Sequence, residues 1–270
     1  MRISTRLAIL LLLSTAVALG DARKLITIEV NPAGFGASKA DIHAVCRSAG
    51  DQILKHITRT EATTVLVTKG SHGPIALFKR GPKGEFQVKL DTGKTYWAQY
   101  AYQFAHELCH VLCDYENDYS GNLWFEETLA ETASLFALRA MAKEWRQNAP
   151  YQNWRSFAPS LRDYTDNIER KRDDFLEITR IGLPAYYRQH ASHLKTNATD
   201  RPKNGAMAIV LLTLFERDPT QWSAIQYLNP SPSPKGESFK SYLTKWRNAA
   251  PAAHKEFIQT IAQLYGIQLD

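Results

Sequence analysis

The stretch of sequence that most constrains the fold reads FAHELCHVL and covers residues 104–112. Apolar residues recur around its polar ones at helical spacing, so the stretch predicts a half-buried helix, which we expect over residues 95–113. His106 and His110 are four residues apart and therefore lie one turn apart on the same face of that helix. The helix is thus predicted to carry two neighbouring imidazoles at a partly buried position.

The pattern His-Glu-x-x-His is typical of zinc hydrolases. The rings of His106 and His110 can reach one ion from the same helix face, and zinc accepts imidazole nitrogen as a ligand. A carboxylate at Glu107 can take the proton of a water molecule at that ion. We therefore expect one Zn²⁺ per chain, with both histidines as ligands and Glu107 as general base. The alternative is a helix whose histidines pair with nearby carboxylates and bind no metal.

The residues before this helix predict a small sheet. A strand is expected over 24–30 and a helix over 38–57, which Ser38 can cap. Three further short strands are expected over residues 63–68, 75–79 and 85–90. The glycine-containing breaks at 70–73 and 81–84 suit hairpin turns. These residues predict a small, mostly antiparallel sheet with one helix before it.

The residues after the FAHELCHVL helix are predicted to be mainly helical. Helices are expected over 124–145, 154–171, 174–181, 184–193, 206–216, 237–248 and 251–265. Polar loops are expected over 195–203 and 229–236. Strands followed by helices indicate an α+β fold. We expect one catalytic domain over 23–270, with a β-containing lobe over about 23–94 and a helical lobe over about 95–270.

The N-terminus has the pattern of a secretory signal peptide. Arg2 and Arg6 precede an apolar run over 7–19, and small residues follow it. We therefore expect residues 1–22 to be removed and the protein to be secreted or periplasmic, with no stable membrane insertion after cleavage. An uncleaved membrane anchor is the alternative, but the run is shorter than the roughly 20 residues of a membrane span.

Charge and cysteine content limit the possible partners and cross-links. The chain has 33 Lys and Arg against 27 Asp and Glu, and its basic residues are spread along its length. This indicates a solvated surface and predicts no nucleic-acid partner. No feature indicates an oligomeric state. Export would place Cys46, Cys109 and Cys113 in an oxidising compartment, so either Cys46 bridges one of the other two or all three are buried free thiols.

A third metal ligand is indicated by a resemblance. Trp124, Glu127 and Ala130 form a Trp-x-x-Glu-x-x-Ala pattern, and Glu127 follows His110 by seventeen residues. Together with the His-Glu-x-x-His segment, this pattern resembles the gluzincin superfamily, which includes thermolysin and the zinc aminopeptidases. The resemblance covers residues 95–140 and implies that Glu127 is the third zinc ligand.

The same resemblance implies a role for a further carboxylate. Glu131, one turn after Glu127, would hold a zinc-bound histidine by its other ring nitrogen. Glu126 points roughly 100° away from Glu127 on a helix and is not expected in the site. Cys113 shares the face of the two histidines and is an alternative ligand, although one helix rarely supplies three ligands to one ion.

The sequence departs from the gluzincin pattern further along. Gluzincin aminopeptidases place a transition-state tyrosine three residues before a helix-starting glycine, and with Gly205 as that glycine the position holds Pro202. Four residues upstream remain as candidate oxyanion donors: Tyr186, Tyr187, His190 and His193. The Gly-x-Met-x-Asn stretch that binds a substrate N-terminus in aminopeptidases is also missing. The absence of this stretch argues against specificity for a free N-terminus.

The resemblance implies an exported zinc metallopeptidase that hydrolyses peptide or protein substrates. The substrate would lie antiparallel to an edge strand, for which residues 75–79 and 85–90 are the candidates. A zinc amidase or cell-wall hydrolase is one alternative, and a wide groove without an exposed edge strand would favour it. A degenerate peptidase fold that only binds is another, which the missing tyrosine favours and Glu107 opposes.

Overall fold

The computed structural model describes residues 20–115 and 120–270. Most of the predicted signal peptide, residues 1–19, lies outside the described residues. Its last three residues do belong to the fold, because Gly20 and Asp21 pair with Arg59 and Thr58 and Ala22 is fully buried. Within the described ranges, no helix has the length and apolarity needed to cross a membrane.

The strands form a two-stranded pair and a four-stranded sheet. Their bounds are β1 Gly20–Asp21, β2 Ile26–Val30, β3 Thr58–Arg59, β4 Thr63–Lys69, β5 Ile75–Leu77 and β6 Phe86–Leu90. β1 pairs with β3, and the larger sheet has the order β2-β4-β6-β5. Burial alternates along β2 and β6, as expected for strands with one face on the core. β5 lies at the edge of the larger sheet.

The larger sheet is mixed, with β2, β4 and β6 parallel and only β5 antiparallel to its neighbour. The helix between β2 and β4 makes a crossover, which a parallel pair requires. The hairpin expected at residues 70–73 is not formed, because β6 lies between β4 and β5. The second expected hairpin is present, since the Gly81 N–H donates to the Glu85 carbonyl at 2.8 Å. This arrangement leaves β5 as the exposed edge strand.

The predicted α+β class is confirmed, because a large helical region follows the strands. The helix bounds are α1 Ala22–Leu25, α2 Lys39–Leu54, α3 Trp97–Leu112, α4 Leu123–Asn148, α5 Ala158–Arg170, α6 Asp173–Ile181, α7 Leu183–Thr196, α8 Arg201–Arg217, α9 Phe239–Ala249 and α10 Ala252–Leu264. Two 3-10 helices cover Gln152–Phe157 and Pro219–Tyr227. Ser38 caps α2 as predicted, accepting from the Asp41 N–H at 3.0 Å.

Helices α3 and α4 form the centre of the molecule. α3 packs against α2, α4 and the sheet, while α4 packs against α3, α5 and α8. On α2, a Cβ built at Gly50 would lie 3.2 Å from Leu108 and 3.3 Å from Phe104, so a small residue permits the close approach of α2 to α3. The start of α4 is fixed by Trp124, whose ring packs against Phe239 and Tyr265. The two central helices are therefore held on several sides.

Helix α8 begins five residues earlier than expected, at Arg201 instead of 206. The Asp200 carboxylate accepts from the Lys203 N–H at 3.2 Å and caps the helix. Pro202 falls in the first turn, where its missing N–H costs no helical hydrogen bond. Gly205 therefore lies inside a helix and does not begin one, which removes the basis for comparing this segment with the tyrosine position of the aminopeptidases.

Cys46, Cys109 and Cys113 are buried free thiols, so of the two alternatives the structure has the one without a disulfide. Cys46 lies on α2, and burial raises the pKa of its thiol. Cys113 lies at the end of α3, where burial and a hydrogen bond with Cys109 raise its pKa. The contact between α2 and α3 is therefore made by packing and not by a covalent link.

Candidate metal centre

Residues from α3 and α4 meet at one point where the helices pack together. His106 and His110 come from α3, and Glu127 comes from the first turns of α4. Their candidate ligand atoms all lie within 4.8 Å of one another. The structure thus brings together the three residues that the sequence and the resemblance identified as ligands. Their spacing matches what a single ion needs, two imidazole nitrogens and a carboxylate oxygen on converging side chains.

Both imidazoles present the same ring atom to Glu127. Nε2 of His106 is 3.2 Å from Oε2 of Glu127, and Nε2 of His110 is 3.8 Å from Oε1. The two ring centroids are 5.1 Å apart and the rings are tilted by 67°. One carboxylate shared between two Nε2 atoms distinguishes this cluster from two independent histidine–carboxylate pairs.

The other nitrogen of His110 is held by Glu126, which the helical angle had excluded from the site. Nδ1 of His110 is 2.6 Å from Oε1 of Glu126. Oε2 of Glu126 accepts from the Asn229 amide at 2.7 Å, and Oδ1 of Asn229 accepts from the Tyr242 hydroxyl at 2.9 Å. The expectation for Glu126 was wrong. Its side chain does point away from Glu127, but this direction brings it to Nδ1 of His110, the ring nitrogen that faces away from Glu127.

Glu131 lies on the corresponding side of His106. Its Oε2 is 3.9 Å from Nδ1 of His106, which is beyond hydrogen-bond distance. The Tyr102 hydroxyl donates to the same oxygen, and the Arg172 guanidinium donates to Oε1. Glu131 is therefore fixed by Tyr102 and Arg172 and faces the His106 ring, close to the position that the resemblance implies.

The charges at this centre favour a cation. Burial alone would lower the pKa of His110, but the hydrogen bond and charge of Glu126 raise it to about 10. The pKa of His106 is also raised, because Glu127 and Glu107 outweigh its burial. Burial would raise the pKa of Glu127, yet its contacts with the two histidines lower it. A partly buried set of two nitrogens and one carboxylate in a field that stabilises positive charge fits a divalent ion.

Glu107 connects the ligand cluster with the edge of the sheet. Its side chain is buried, with 3% of the residue exposed, and burial raises its pKa. The backbone of Ala76 on β5 approaches this carboxylate and opposes the rise in its pKa. Glu107 thus stands between the edge strand and the two histidines, the position that a general base toward a substrate on β5 needs.

These residues line a cleft of about 310 Å³. One wall is β5 and its flanks, where Ile75 and Phe78 are 48% and 53% exposed. Tyr164 of α5 and Arg201 at the start of α8 also line the cleft. An apolar, exposed edge strand beside buried polar groups is a shape that accommodates an extended chain.

The four candidate oxyanion donors named from the sequence do not line this cleft. Tyr186 is buried against the ring of His190, and Tyr187 stacks on Trp124. His193 pairs with Asp200 at 2.7 Å. Cys113 is also outside the ligand cluster, so it remains a buried thiol at the end of α3.

Tyr115 lines the cleft instead. Its ring packs against His110 and Phe78, with centroid distances of 5.8 and 5.1 Å. Its hydroxyl is buried and has no hydrogen-bond partner among residues 20–115 and 120–270. Burial and then the charge of Glu107 raise its pKa, so the hydroxyl keeps its proton near neutral pH. Tyr115 follows the end of α3 in a loop, and no helical or strand periodicity could have indicated its position.

A second group of possible ligands lies outside the cleft. Asp174, Glu177 and His190 also have ligand atoms within 4.8 Å of one another. Asp174 is ion-paired with Lys203 at 3.4 Å, and Glu177 accepts from Gln189 at 3.0 Å. These carboxylates already have partners, so the cluster on α3 and α4 is the stronger candidate.

In comparisons with protein-family models, curated proteins and solved structures, nothing matched this chain. The gluzincin resemblance therefore remains a prediction based on the residues of α3 and α4.

Proposed function

We propose that this protein is a zinc-dependent metallopeptidase. The observation that carries the proposal is the meeting of two Nε2 atoms and one carboxylate beside a buried glutamate, next to an exposed edge strand. His106, His110 and Glu127 would hold the ion, and Glu126 and Glu131 would orient the two imidazoles. The gluzincin resemblance implies the same ligands.

When bound, zinc would lower the pKa of a water molecule and polarise the carbonyl of the scissile bond. Glu107 takes the proton of the attacking water at its carboxylate and passes it to the leaving amine. Its burial supports this role, because a raised pKa brings a carboxyl group closer to the pH at which it must both accept and donate. The approach of the Ala76 backbone places the carboxylate beside the edge strand.

Tyr115 supplies the electrophilic group that the family's tyrosine position lacks. Its hydroxyl is protonated and buried, and it has no hydrogen-bond partner among the residues that the structure describes. A donor placed where the negative charge develops on the carbonyl oxygen stabilises the transition state more than the substrate. Tyr115 is therefore our candidate for the oxyanion donor.

The exposed edge strand favours a peptide substrate over a cell-wall substrate. A peptide can add to β5 as a further antiparallel strand, with its backbone bonded to the free edge. A zinc amidase has no need of such an edge. Glu107 also favours an enzyme over a pure binding module, because it is a buried carboxylate beside the ligand cluster that is not itself one of the three ligands.

The N-terminal pattern supports export. A basic start, a short apolar run and small residues at 16–22 are typical of a secretory signal. We infer a secreted or periplasmic enzyme with one catalytic domain, and because Gly20, Asp21 and Ala22 belong to the fold, we place signal cleavage before Gly20 and not after residue 22.

The proposal is tested with zinc-loaded protein, a peptide digest as substrate and mass spectrometry of the products. Glu107→Gln keeps the shape of the side chain but removes the base, so we expect hydrolysis to fall by about 100-fold or more while zinc stays bound. Glu144→Gln, near the far end of α4, is the control and should hydrolyse at the wild-type rate. Undiminished hydrolysis by Glu107→Gln would contradict the proposal.

A further inference from the structure

Arg201 is an exposed cation at the cleft, close enough to Glu127 to lower the pKa of that carboxyl, and its guanidinium is ion-paired with no side chain among the described residues. Its side chain lines the cleft together with Glu127 and Tyr164. Among the described residues, no carboxylate lies within ion-pair distance of its guanidinium and no side chain or carbonyl accepts a hydrogen bond from it. The arginine thus offers its donors to the cleft.

The neighbouring basic residues are different. Arg172 donates to Glu131 and to the carbonyl of Arg201, and Lys203 pairs with Asp174. Each of these cations has a structural role that accounts for its position. Arg201 stands in the first turn of α8, and its guanidinium has no comparable partner among the described residues.

The guanidinium reaches from α8 toward the loop that precedes β5. A Cβ built on Gly73 would lie 3.5 Å from Nη2 of Arg201. The side chain therefore spans the cleft at the end where β5 begins with Ile75. Tyr115 and Phe78 occupy the opposite end, because the Tyr115 ring packs on Phe78 just beyond Leu77.

The direction of β5 decides which part of a substrate meets Arg201. A peptide that adds antiparallel to β5 runs from the Phe78 end toward the Ile75 end. Its N-terminal part lies at Tyr115 and its C-terminal part lies at Arg201. The arginine therefore faces the residues that follow the scissile bond.

We propose that Arg201 binds a carboxylate on the C-terminal side of the scissile bond, so that the enzyme selects substrates by that negative charge. An arginine presents two parallel N–H donors that match a carboxylate. The carboxylate is either the C-terminus of the peptide or the side chain of an aspartate or glutamate. This inference rests on the proposed peptidase function, because it uses the orientation of a substrate along β5.

The test measures peptide retention on zinc-loaded Glu107→Gln protein, which binds substrate without turnover. Three pools of random pentapeptides are the probes: free C-termini without acidic residues, amidated C-termini without acidic residues, and amidated C-termini with one aspartate or glutamate. The proteins compared carry Arg201, Arg201→Met or Arg201→Lys. Arg217→Met, which removes an exposed arginine at the far end of α8, is the matched control.

We expect a carboxylate-bearing pool to be retained about tenfold more than the neutral pool, in keeping with a charge-assisted pair. Arg201→Met should abolish this preference, Arg201→Lys should keep part of it, and Arg217→Met should leave it unchanged. Preference for free C-termini identifies the terminal carboxylate, and preference for the acidic pool identifies a side chain. Equal retention of the three pools, no retention, or a preference that survives Arg201→Met would overturn the inference.

Zinc content and hydrolysis by the wild-type protein, measured in parallel, separate this inference from the proposed function. Zinc binding and hydrolysis without carboxylate preference would reject the role of Arg201 alone. Failure to bind zinc would reject the peptidase proposal, and the same pool comparison made on the metal-free proteins would then decide whether Arg201 binds carboxylates.

Discussion

Polar groups have different surroundings on the paired helices α3 and α4 and on the rim of the cleft, by which we mean β5 with Phe78, Tyr115 and Arg201. On the helices, each imidazole lies between two carboxylates, and the outer ones, Glu126 and Glu131, are held in turn by Asn229 and by Tyr102 and Arg172. On the rim, Tyr115 and Arg201 have no polar partner among the described residues, and β5 has a free edge. The helix pair is thus held by contacts within the protein, whereas the rim has donors that are available to a substrate. Changes on the helices should act on metal binding, and changes on the rim should act on turnover and selectivity.

The largest effect is expected on the rim. Tyr115→Phe removes only a hydroxyl, and we expect kcat to fall about 100-fold because one oxyanion donor is lost. Zinc affinity should stay within twofold, since Tyr115 holds no ligand. Tyr187→Phe is the matched control, because that tyrosine lies outside the cleft. Equal rates for Tyr115→Phe and wild type in a steady-state assay would remove the tyrosine from the mechanism.

On the helix side, Glu126→Ala should weaken zinc binding by roughly 10- to 100-fold. The change frees Nδ1 of His110, so the ring loses the contact that fixes its orientation. Competition with a chromophoric chelator measures the dissociation constant. Glu131→Ala should weaken binding less, because Glu131 is 3.9 Å from the His106 ring. A larger effect of Glu131→Ala would mean that Glu131, and not Glu126, is the carboxylate that orients a zinc-bound histidine.

Gly205→Ala tests the support behind Glu131. A Cβ at this position would lie 2.3 Å from Cζ of Arg172, so the guanidinium must move away from Glu131. We expect the free energy of unfolding to fall by about 1–3 kcal/mol, as for other overpacked sites. A cycle with Arg172→Ala, measured by urea denaturation, should be strongly non-additive. Additive losses would show that the two residues do not meet.

The smallest effect is expected at an exposed apolar residue of the rim. Phe78→Ala should raise KM by roughly threefold, because a wall of the substrate groove is shortened. Stability should change by less than about 0.5 kcal/mol, since the ring is 53% exposed. Thermal unfolding and a KM measurement on one peptide separate the two quantities. A large loss of stability would place Phe78 with the core and not with the rim.

The same contrast explains what the sequence could predict. The positions of His106, His110 and Glu127 follow from helical periodicity and from a resemblance confined to two helices, and the structure brings these residues together. The helices around them were also predicted within a few residues, because capping and apolar spacing are local properties. The α+β class followed from the order of the elements.

The rim could not be predicted because it depends on contacts between distant residues. Tyr115 and Arg201 stand 86 residues apart in the sequence, and neither belongs to a periodic pattern. Glu126 was missed because the helical angle between Glu126 and Glu127 only shows that the two side chains diverge. It does not show that Glu126 can still reach the other ring nitrogen of His110. The parallel pairing of β4 with β6 was missed because residues 70–73 look the same in two cases. They could form a hairpin that pairs β4 with β5, or a connection that carries the chain past one strand position to the edge of the sheet.

The most direct test of the zinc centre is the metal content of wild-type protein and of Glu127→Ala, both purified without chelator and measured by elemental analysis. We expect one zinc per wild-type chain and loss of that zinc in Glu127→Ala, with circular dichroism showing that both proteins are folded. Wild-type protein that holds no zinc even after reconstitution, or a Glu127→Ala variant that binds zinc as tightly as wild type, would contradict the assignment of His106, His110 and Glu127 as zinc ligands.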